Sequence, residues 1–186
     1  MGTAASRWEW RIFSDAPFLS IAPVFQKLRR ANRKRGTDLY VLSRLTEANL
    51  KIRAGILDVK IRVGVSPFGT ELWRPAFKSP FPPDAGDATT ITGFIGTPFP
   101  RALGRESFPA GGPLAMIEVV KERDIYMIED TIIEAGTASF AGRTKWTLCV
   151  ESEKPEQVEY FVRGCRLDGK TTANYVTLLK HRQLPN

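Results

Sequence analysis

"KIRAGILDVKIR", residues 51–62, is the stretch on which the fold turns. Taken in alternate positions, Lys51 and Arg53 fall on one side of an extended chain and Ile52 on the other. After a turn at Gly55, Asp58, Lys60 and Arg62 share one side, and Leu57, Val59 and Ile61 share the opposite one. Two adjacent strands with one apolar face are ordinary. The second face is dense in cations, and its partners are the question the rest of the sequence must answer.

The same plan recurs along the chain. "RWEWRIF" (7–13) places Arg7, Glu9 and Arg11 opposite Trp8, Trp10 and Ile12. "RTKWTLCVESE" (143–153) places Lys145, Thr147, Cys149, Glu151 and Glu153 opposite Trp146, Leu148 and Val150. "DLYVLSRL" and "LKIRAG" read as short strands joined by "TEAN", and "TELWRPAFK" as an extended segment that Pro75 confines to an edge or a bulge. "AMIEVVKERDIYMIED" reads as a strand or a hairpin and "TIIEAGTASFAG" as another strand.

Helical periodicity is found in three places. "APFLSIAPVFQKLRRANRK" carries a stripe of Phe18, Leu19, Ala22, Phe25 and Leu28, interrupted near Pro23, and "KLRRANRKR" (27–35) reads as its polar end running into a loop. "SEKPEQVEYFVRGCRL" starts with Ser152 or Glu153 as cap and Pro155 in the first turn, with Val158, Phe161 and Val162 as the buried stripe. "TTANYVTLLKH" is a second short helix, capped by Thr171 or Thr172. Residues 79–113 are rich in Pro and Gly and form a connection between two halves, with one short helix near "ATTITGFIG".

With 186 residues, 42% of them hydrophobic, the chain can bury one core, so residues 1–186 are read as a single domain. No apolar run reaches the length of a membrane span, and "MGTAASRWEW" lacks the apolar centre of a secretory signal. "MGTAAS" fits the permissive myristoylation pattern of Gly2 and Ser6, which by itself decides nothing. Cys149 and Cys165 make neither a disulfide framework nor a zinc spacing, so a cytoplasmic location is expected. A formal charge of +7 and a pI near 9.6 invite a polyanion: nucleic acid, an acidic membrane or a phosphate-rich small molecule.

A wet charged face is the ordinary meaning of any one such strand. Here both signs recur on the strand faces of both halves, which suits an α+β protein. Its antiparallel strands close, or nearly close, into a barrel with a polar interior and helices outside. Burying so many charges costs too much unless they face water, each other and a ligand. A cationic lining with a few carboxylates suits a polyphosphate carrying Mg2+ or Mn2+.

This layout resembles the CYTH superfamily, the triphosphate tunnel metalloenzymes, which include bacterial thiamine triphosphatases, inorganic triphosphatases and one class of adenylate cyclase. The resemblance implies an antiparallel tunnel of about eight strands with flanking helices. The family's N-terminal E-x-E-x-K resembles "RWEWR", with Arg7 in place of the first glutamate, Glu9 matching the second and Arg11 in place of the lysine. Its paired basic strands resemble "KIRAGILDVKIR", and its late K-x-R resembles Lys121 and Arg123. "IIEAG" with Glu134, then Glu151 and Glu153, resemble its acidic strands, and "NYVTLLK" its terminal helix.

Carried over residue by residue, the resemblance implies phosphate binding by Arg11, Lys51, Arg53, Lys60, Arg62, Arg74, Lys121 and Arg123. It implies metal binding by Glu9, Glu134, Glu151 and Glu153. The activity implied is metal-dependent hydrolysis of a triphosphate-bearing compound. Arg7 departs from the pattern, since a cation there repels a metal. That favours the alternative, a non-catalytic module holding a triphosphate, a phosphorylated metabolite or an RNA 5′ end. A third expectation is a nucleic-acid binder acting through "KLRRANRKR", with Trp8, Trp10 and Trp146 as stacking platforms, although their alternation with charges reads as packing. A Cys149–His181 catalytic pair is also conceivable. The simpler reading makes Cys149 an inward filler and leaves His181 exposed.

Overall fold

The structure, a computed structural model, describes residues 5–100, 103–104 and 107–183. Its strands are β1 (Arg7–Ser14), β2 (Arg30–Ser43), β3 (Asn49–Arg53), β4 (Ile56–Val65), β5 (Glu71–Pro80), β6 (Leu114–Ile128), β7 (Thr131–Phe140) and β8 (Arg143–Ser152). They close into one barrel in the order β1-β5-β4-β3-β2-β6-β7-β8. Every neighbouring pair is antiparallel. The helices are α1 (Ala22–Lys27), α2 (Ala85–Ile95), α3 (Pro155–Gly164) and α4 (Tyr175–Gln183). This is the closed antiparallel α+β barrel that the strand patterning predicts.

Alternation explains why much of the core lies outside the barrel wall. Trp10 and Ile12 of β1, Ile133 of β7, and Leu148 and Val150 of β8 pack with Val158 and Val162 of α3. On the other flank, Val41, Leu50, Ile52, Leu57 and Val59 pack with Ile91 and Ile95 of α2. The Pro/Gly-rich connection therefore supplies a covering helix. Each such fully buried aliphatic side chain contributes about 1.5–3 kcal/mol. Two of the core clusters thus lie on the outer faces, and much of the inner surface is left available for charge.

Two helix expectations are corrected. α1 ends at Lys27, and Leu28 is already extended. From Arg30 onward, the basic run that reads as a helix end is instead the first half of β2, paired with β6. Arg33 grips Asp124 with two hydrogen bonds of 2.7 and 2.9 Å, and Arg35 pairs with Glu122 at 3.2 Å. Cross-strand partners decide this segment over its helical periodicity. In addition, "AMIEVVKERDIYMI" is one long strand, not a hairpin.

Both later helices exist, with other caps. Lys154 precedes α3, no side chain caps it, and Ser152 Oγ instead accepts from the Lys154 N–H at 3.2 Å. Asn174, not Thr171 or Thr172, caps α4: its Oδ1 accepts from the Thr177 N–H at 2.9 Å. Its Nδ2 donates to both Glu71 oxygens at 3.0 Å, while the Ala173 N–H donates to the Arg11 carbonyl at 2.9 Å. So anchored, α4 sets Tyr175, Val176 and Leu179 against Tyr40, Leu42, Ile117, Val119, Ala138 and Phe140 from the inner faces of β2, β6 and β7. The helix closes one end of the barrel. The lumen is a blind chamber.

Gly136 on β7 faces Arg123 across the ladder, and a Cβ there would lie 1.9 Å from the Glu122 carbonyl oxygen and 2.8 Å from the Arg123 Cα. Backbone cannot yield as a flexible side chain does. Gly136→Ala should cost about 3 kcal/mol in urea unfolding; a loss below 1 kcal/mol would show that the two strands separate easily.

Candidate functional site

The inner faces surround a cavity of about 200 Å3 lined by Glu9, Arg11, Tyr40, Asn49, Lys51, Arg53, Lys60, Trp73, Lys121, Arg123, Glu134, Glu151 and Tyr175. Strand order sorts these charges into two walls. Glu134, Glu151 and Glu9 come from the adjacent strands β7, β8 and β1, with Glu9 directly opposite Glu151 in the ladder. Lys60, Lys51, Arg53, Lys121 and Arg123 come from β4, β3 and β6, separated only by β2. An acidic wall therefore faces a basic one.

Most of these charges hold each other. On the basic side Asp38, 2% exposed, joins two cations. It accepts from both Arg53 nitrogens facing it, Nη2 at 2.6 Å, and from Lys121 Nζ at 2.7 Å. Lys121 also donates to the Tyr40 hydroxyl at 2.7 Å. Burial works against ionisation of Asp38, but hydrogen bonds and charge from Arg53 and Lys121 outweigh it and hold the carboxyl far below the usual carboxylate range. Lys51 pairs with Asp58 at 3.5 Å, and burial still pushes its ammonium pKa down. Lys60 has no ion-pair partner within 4 Å among the described residues.

On the acidic side Arg11 sits among the carboxylates. Its Nε donates to Glu9 at 2.8 Å, its Nη1 to Thr147 at 3.2 Å, and its Nη2 lies 3.7 Å from both Glu134 and Glu151. Arg123 donates to Glu134 at 3.2 Å. Burial raises all these carboxyls, yet Arg11 holds Glu9 below its ordinary value, and Arg11 with Arg123 does the same for Glu134. Glu151 goes the other way. Burial, then the charges of Glu9 and Glu134, push it up. Two arginines do not fully compensate the three carboxylates.

That imbalance bears on a divalent cation. Ligand atoms of Glu9, Glu151 and Cys149 lie within 4.8 Å of one another, a unique grouping of this kind among the described residues. Burial raises the Cys149 thiol pKa well above its usual value, and its Sγ donates to Glu151 at 3.4 Å, so it stays a neutral neighbour. The carboxylate oxygens are hard donors of the kind Mg2+ and Mn2+ take. Glu9 and Glu151, with Glu134 beside them, fit such an ion.

Several sequence expectations land elsewhere. Arg62 is paired with Glu71 at 2.5 Å and does not line the cavity. Arg74 is exposed, and its neighbour Trp73 lines the cavity in its place. Bulges between Val59 and Lys60 and between Arg62 and Gly64 shift the β4–β5 register, which alternation alone does not reveal. Glu153 lies outside the cavity, 3.4 Å from Arg7. Arg7 does not line the cavity either, and Glu153 offsets part of its charge. His181 is exposed on α4 and Cys149 is buried in the wall, so they form no pair. Asp38, Tyr40, Asn49, Trp73 and Tyr175 were not among the expected site residues. For Asp38 and Tyr40 a signal exists, because they alternate with Leu39 and Val41 in "DLYVL" as the recognised inner residues do.

No protein-family model matches the sequence, and no curated protein matches it. Solved structures do. A candidate adenylate cyclase from Bacillus halodurans matches with TM-score 0.53 at 13% identity, covering 93% of this chain and 97% of that one. The PH1819 protein of Pyrococcus horikoshii matches with TM-score 0.51 at 16% identity, covering 94% and 99%. The PH1012 protein of the same organism matches with TM-score 0.52 at 16% identity, covering 90% and 97%. The chain matches CYTH-like proteins in fold, a closed barrel of eight antiparallel strands. At these identities the likeness concerns the fold alone. Within it, this CYTH-like barrel keeps opposed charged walls and is closed below by α4.

Proposed function

We propose that the chamber binds the triphosphate group of a small molecule together with Mg2+ or Mn2+ and hydrolyses a phosphoanhydride bond. One observation carries this reading: an acidic wall faces a basic wall in a blind chamber whose formal charge is nearly balanced. The six lining cations stand against five carboxylates once Asp38 and Asp58 are counted. A triphosphate of charge about −4 would leave such a chamber strongly negative, which is unfavourable in a buried site. A divalent cation on the acidic wall supplies the missing charge, and when bound it polarises a phosphoryl oxygen or activates a water.

The chain's own residues do the remainder. Lys51, Arg53, Lys60, Lys121 and Arg123 orient the phosphates and offset charge on the leaving oxygen. Asp38 fixes two of these cations in place, which reduces the ordering needed on binding. Arg11 keeps Glu9 and Glu134 ionised. No nucleophilic serine or cysteine is involved, since Cys149 is a neutral, buried thiol. Arg62, Arg74 and Glu153 have no part in this reading. A cytoplasmic setting is part of the same proposal.

The second reading, a non-catalytic triphosphate module, is favoured by the Arg11 guanidinium already set among the carboxylates. Lys60 tests what the two readings share. Because no described ion pair depends on it, Lys60→Ala should weaken tripolyphosphate binding about tenfold in calorimetric titration and change unfolding free energy by less than about 1 kcal/mol. Unchanged affinity would remove the basic wall from the site.

A further inference from the structure

The two neighbours of β2 differ in reach. β6 pairs with it from Arg30 to Ser43, with one bulge between Arg30 and Asn32, whereas β3 pairs only with Leu39, Tyr40 and Val41. β3 ends at Arg53, and the turn at Ala54 and Gly55 leads the chain into β4. The Gly55 carbonyl accepts from the Phe81 N–H at 2.8 Å, so this turn is tied to the end of β5. Arg30–Thr37 are left with β6 on one side and no strand on the other among the described residues. All eight are exposed. Every second residue of such an edge turns both its N–H and its carbonyl outward, the template to which another strand adds.

Charge decides which strand this edge admits. Arg29, Arg30, Arg33, Lys34 and Arg35 crowd the segment, against Asp124 and Glu122 across the ladder. Asp124 takes both Arg30, at 3.2 Å, and Arg33, at 2.7 Å, and Glu122 takes Arg35 at 3.2 Å. Arg29 and Lys34 have no ion-pair partner among the described residues. Lys34 alternates with Arg33 and Arg35, so an added strand meets cations on both of its faces. A second copy pairing through the same edge would set basic residues against one another, which is destabilising. A nucleic acid gains from the cations but nothing from the outward carbonyls. We infer that the free edge of β2 accepts an extended acidic segment of a partner protein as an added strand. Its backbone pairs with Arg30–Thr37 and its carboxylates meet Arg33, Lys34 and Arg35. This surface uses none of the residues that line the chamber and is independent of the triphosphate reading.

The test is fluorescence anisotropy of labelled peptides about nine residues long, enough to span the edge. One alternates Glu and Thr, one alternates Lys and Thr, and a third is the acidic peptide N-methylated at every residue. The acidic peptide should bind the full chain at least tenfold more tightly than the basic one, and N-methylation, which keeps the charge and removes every backbone donor, should cost at least tenfold. Lys34→Glu should weaken the acidic peptide about fivefold and leave the melting temperature within about 2 °C, because no described ion pair depends on Lys34. No binding of the acidic peptide would overturn the inference. Equal binding of the methylated form would also overturn it, leaving charge attraction without an added strand. A 5′-hydroxyl oligouridylate of the same length that binds more tightly than the acidic peptide would give the surface to nucleic acid instead. A protein that sediments as a dimer, with the amides of Arg30–Thr37 protected from hydrogen exchange, would give it to a second copy.

Discussion

Asp38→Ala should lower the unfolding free energy by about 3–5 kcal/mol, the range for breaking a buried ion pair and leaving its partner charged. The carboxylate joins Arg53 and Lys121, and Lys121 is 3% exposed, so the variant leaves an ammonium sealed in the wall against Tyr40 and Tyr175. The surface control is Asp124→Ala, which removes the partner of Arg33 and Arg30 and should cost about 1 kcal/mol or less. Urea denaturation at neutral pH distinguishes the two. Equal losses would mean that water reaches Asp38 freely. The pH dependence has a definite sign. The folded pKa of Asp38 is depressed below the ordinary unfolded value of about 3.9, so its contribution is complete above that value and is lost as pH falls toward the folded pKa. Wild type and Asp38→Ala should therefore differ most at neutral pH and converge in acid below about pH 4.

Glu151→Gln should reduce metal-dependent phosphate release by about a hundredfold or more, because it removes a carboxylate from the proposed metal site and with it several kcal/mol of charge stabilisation. Its stability should not fall. Glu151 lies opposite Glu9 and near Glu134, and its raised pKa records the strain of a third buried carboxylate. A neutral amide of the same shape relieves that repulsion, so the melting temperature should hold or rise. Loss of activity with constant or greater stability marks a functional carboxylate. A variant that loses both would make Glu151 a structural partner of Arg11.

The barrel is legible in the sequence because strand alternation has a period of two and leaves little ambiguity. In β1, β3, β4 and β8 the inner residues follow directly from the pattern. Alternation fails where bulges intervene. The slips in β4–β5 exchange Trp73 for Arg74, and no local signal marks them. The basic run of β2 misleads for another reason: its identity as a strand depends on Asp124 and Glu122, about 90 residues away. The blind end is hidden as well, since "NYVTLLK" reads as a short helix but only tertiary packing places it inside the barrel. The site was thus half visible. Glu9, Arg11, Lys51, Arg53, Lys60, Lys121, Arg123, Glu134 and Glu151 converge as the alternation implies, Asp38 carries only the alternation of its strand, and Tyr175 emerges only from the folded arrangement.

The most direct measurement is phosphate release from inorganic triphosphate, ATP and thiamine triphosphate, with magnesium, with manganese and with a chelator. The near-balance of charge in the chamber predicts release from at least one of them that requires the metal, and tripolyphosphate binding that weakens sharply when the metal is withdrawn. No release from any of the three, with tripolyphosphate still raising the melting temperature equally in chelator, would contradict the proposal and identify a metal-independent binding module.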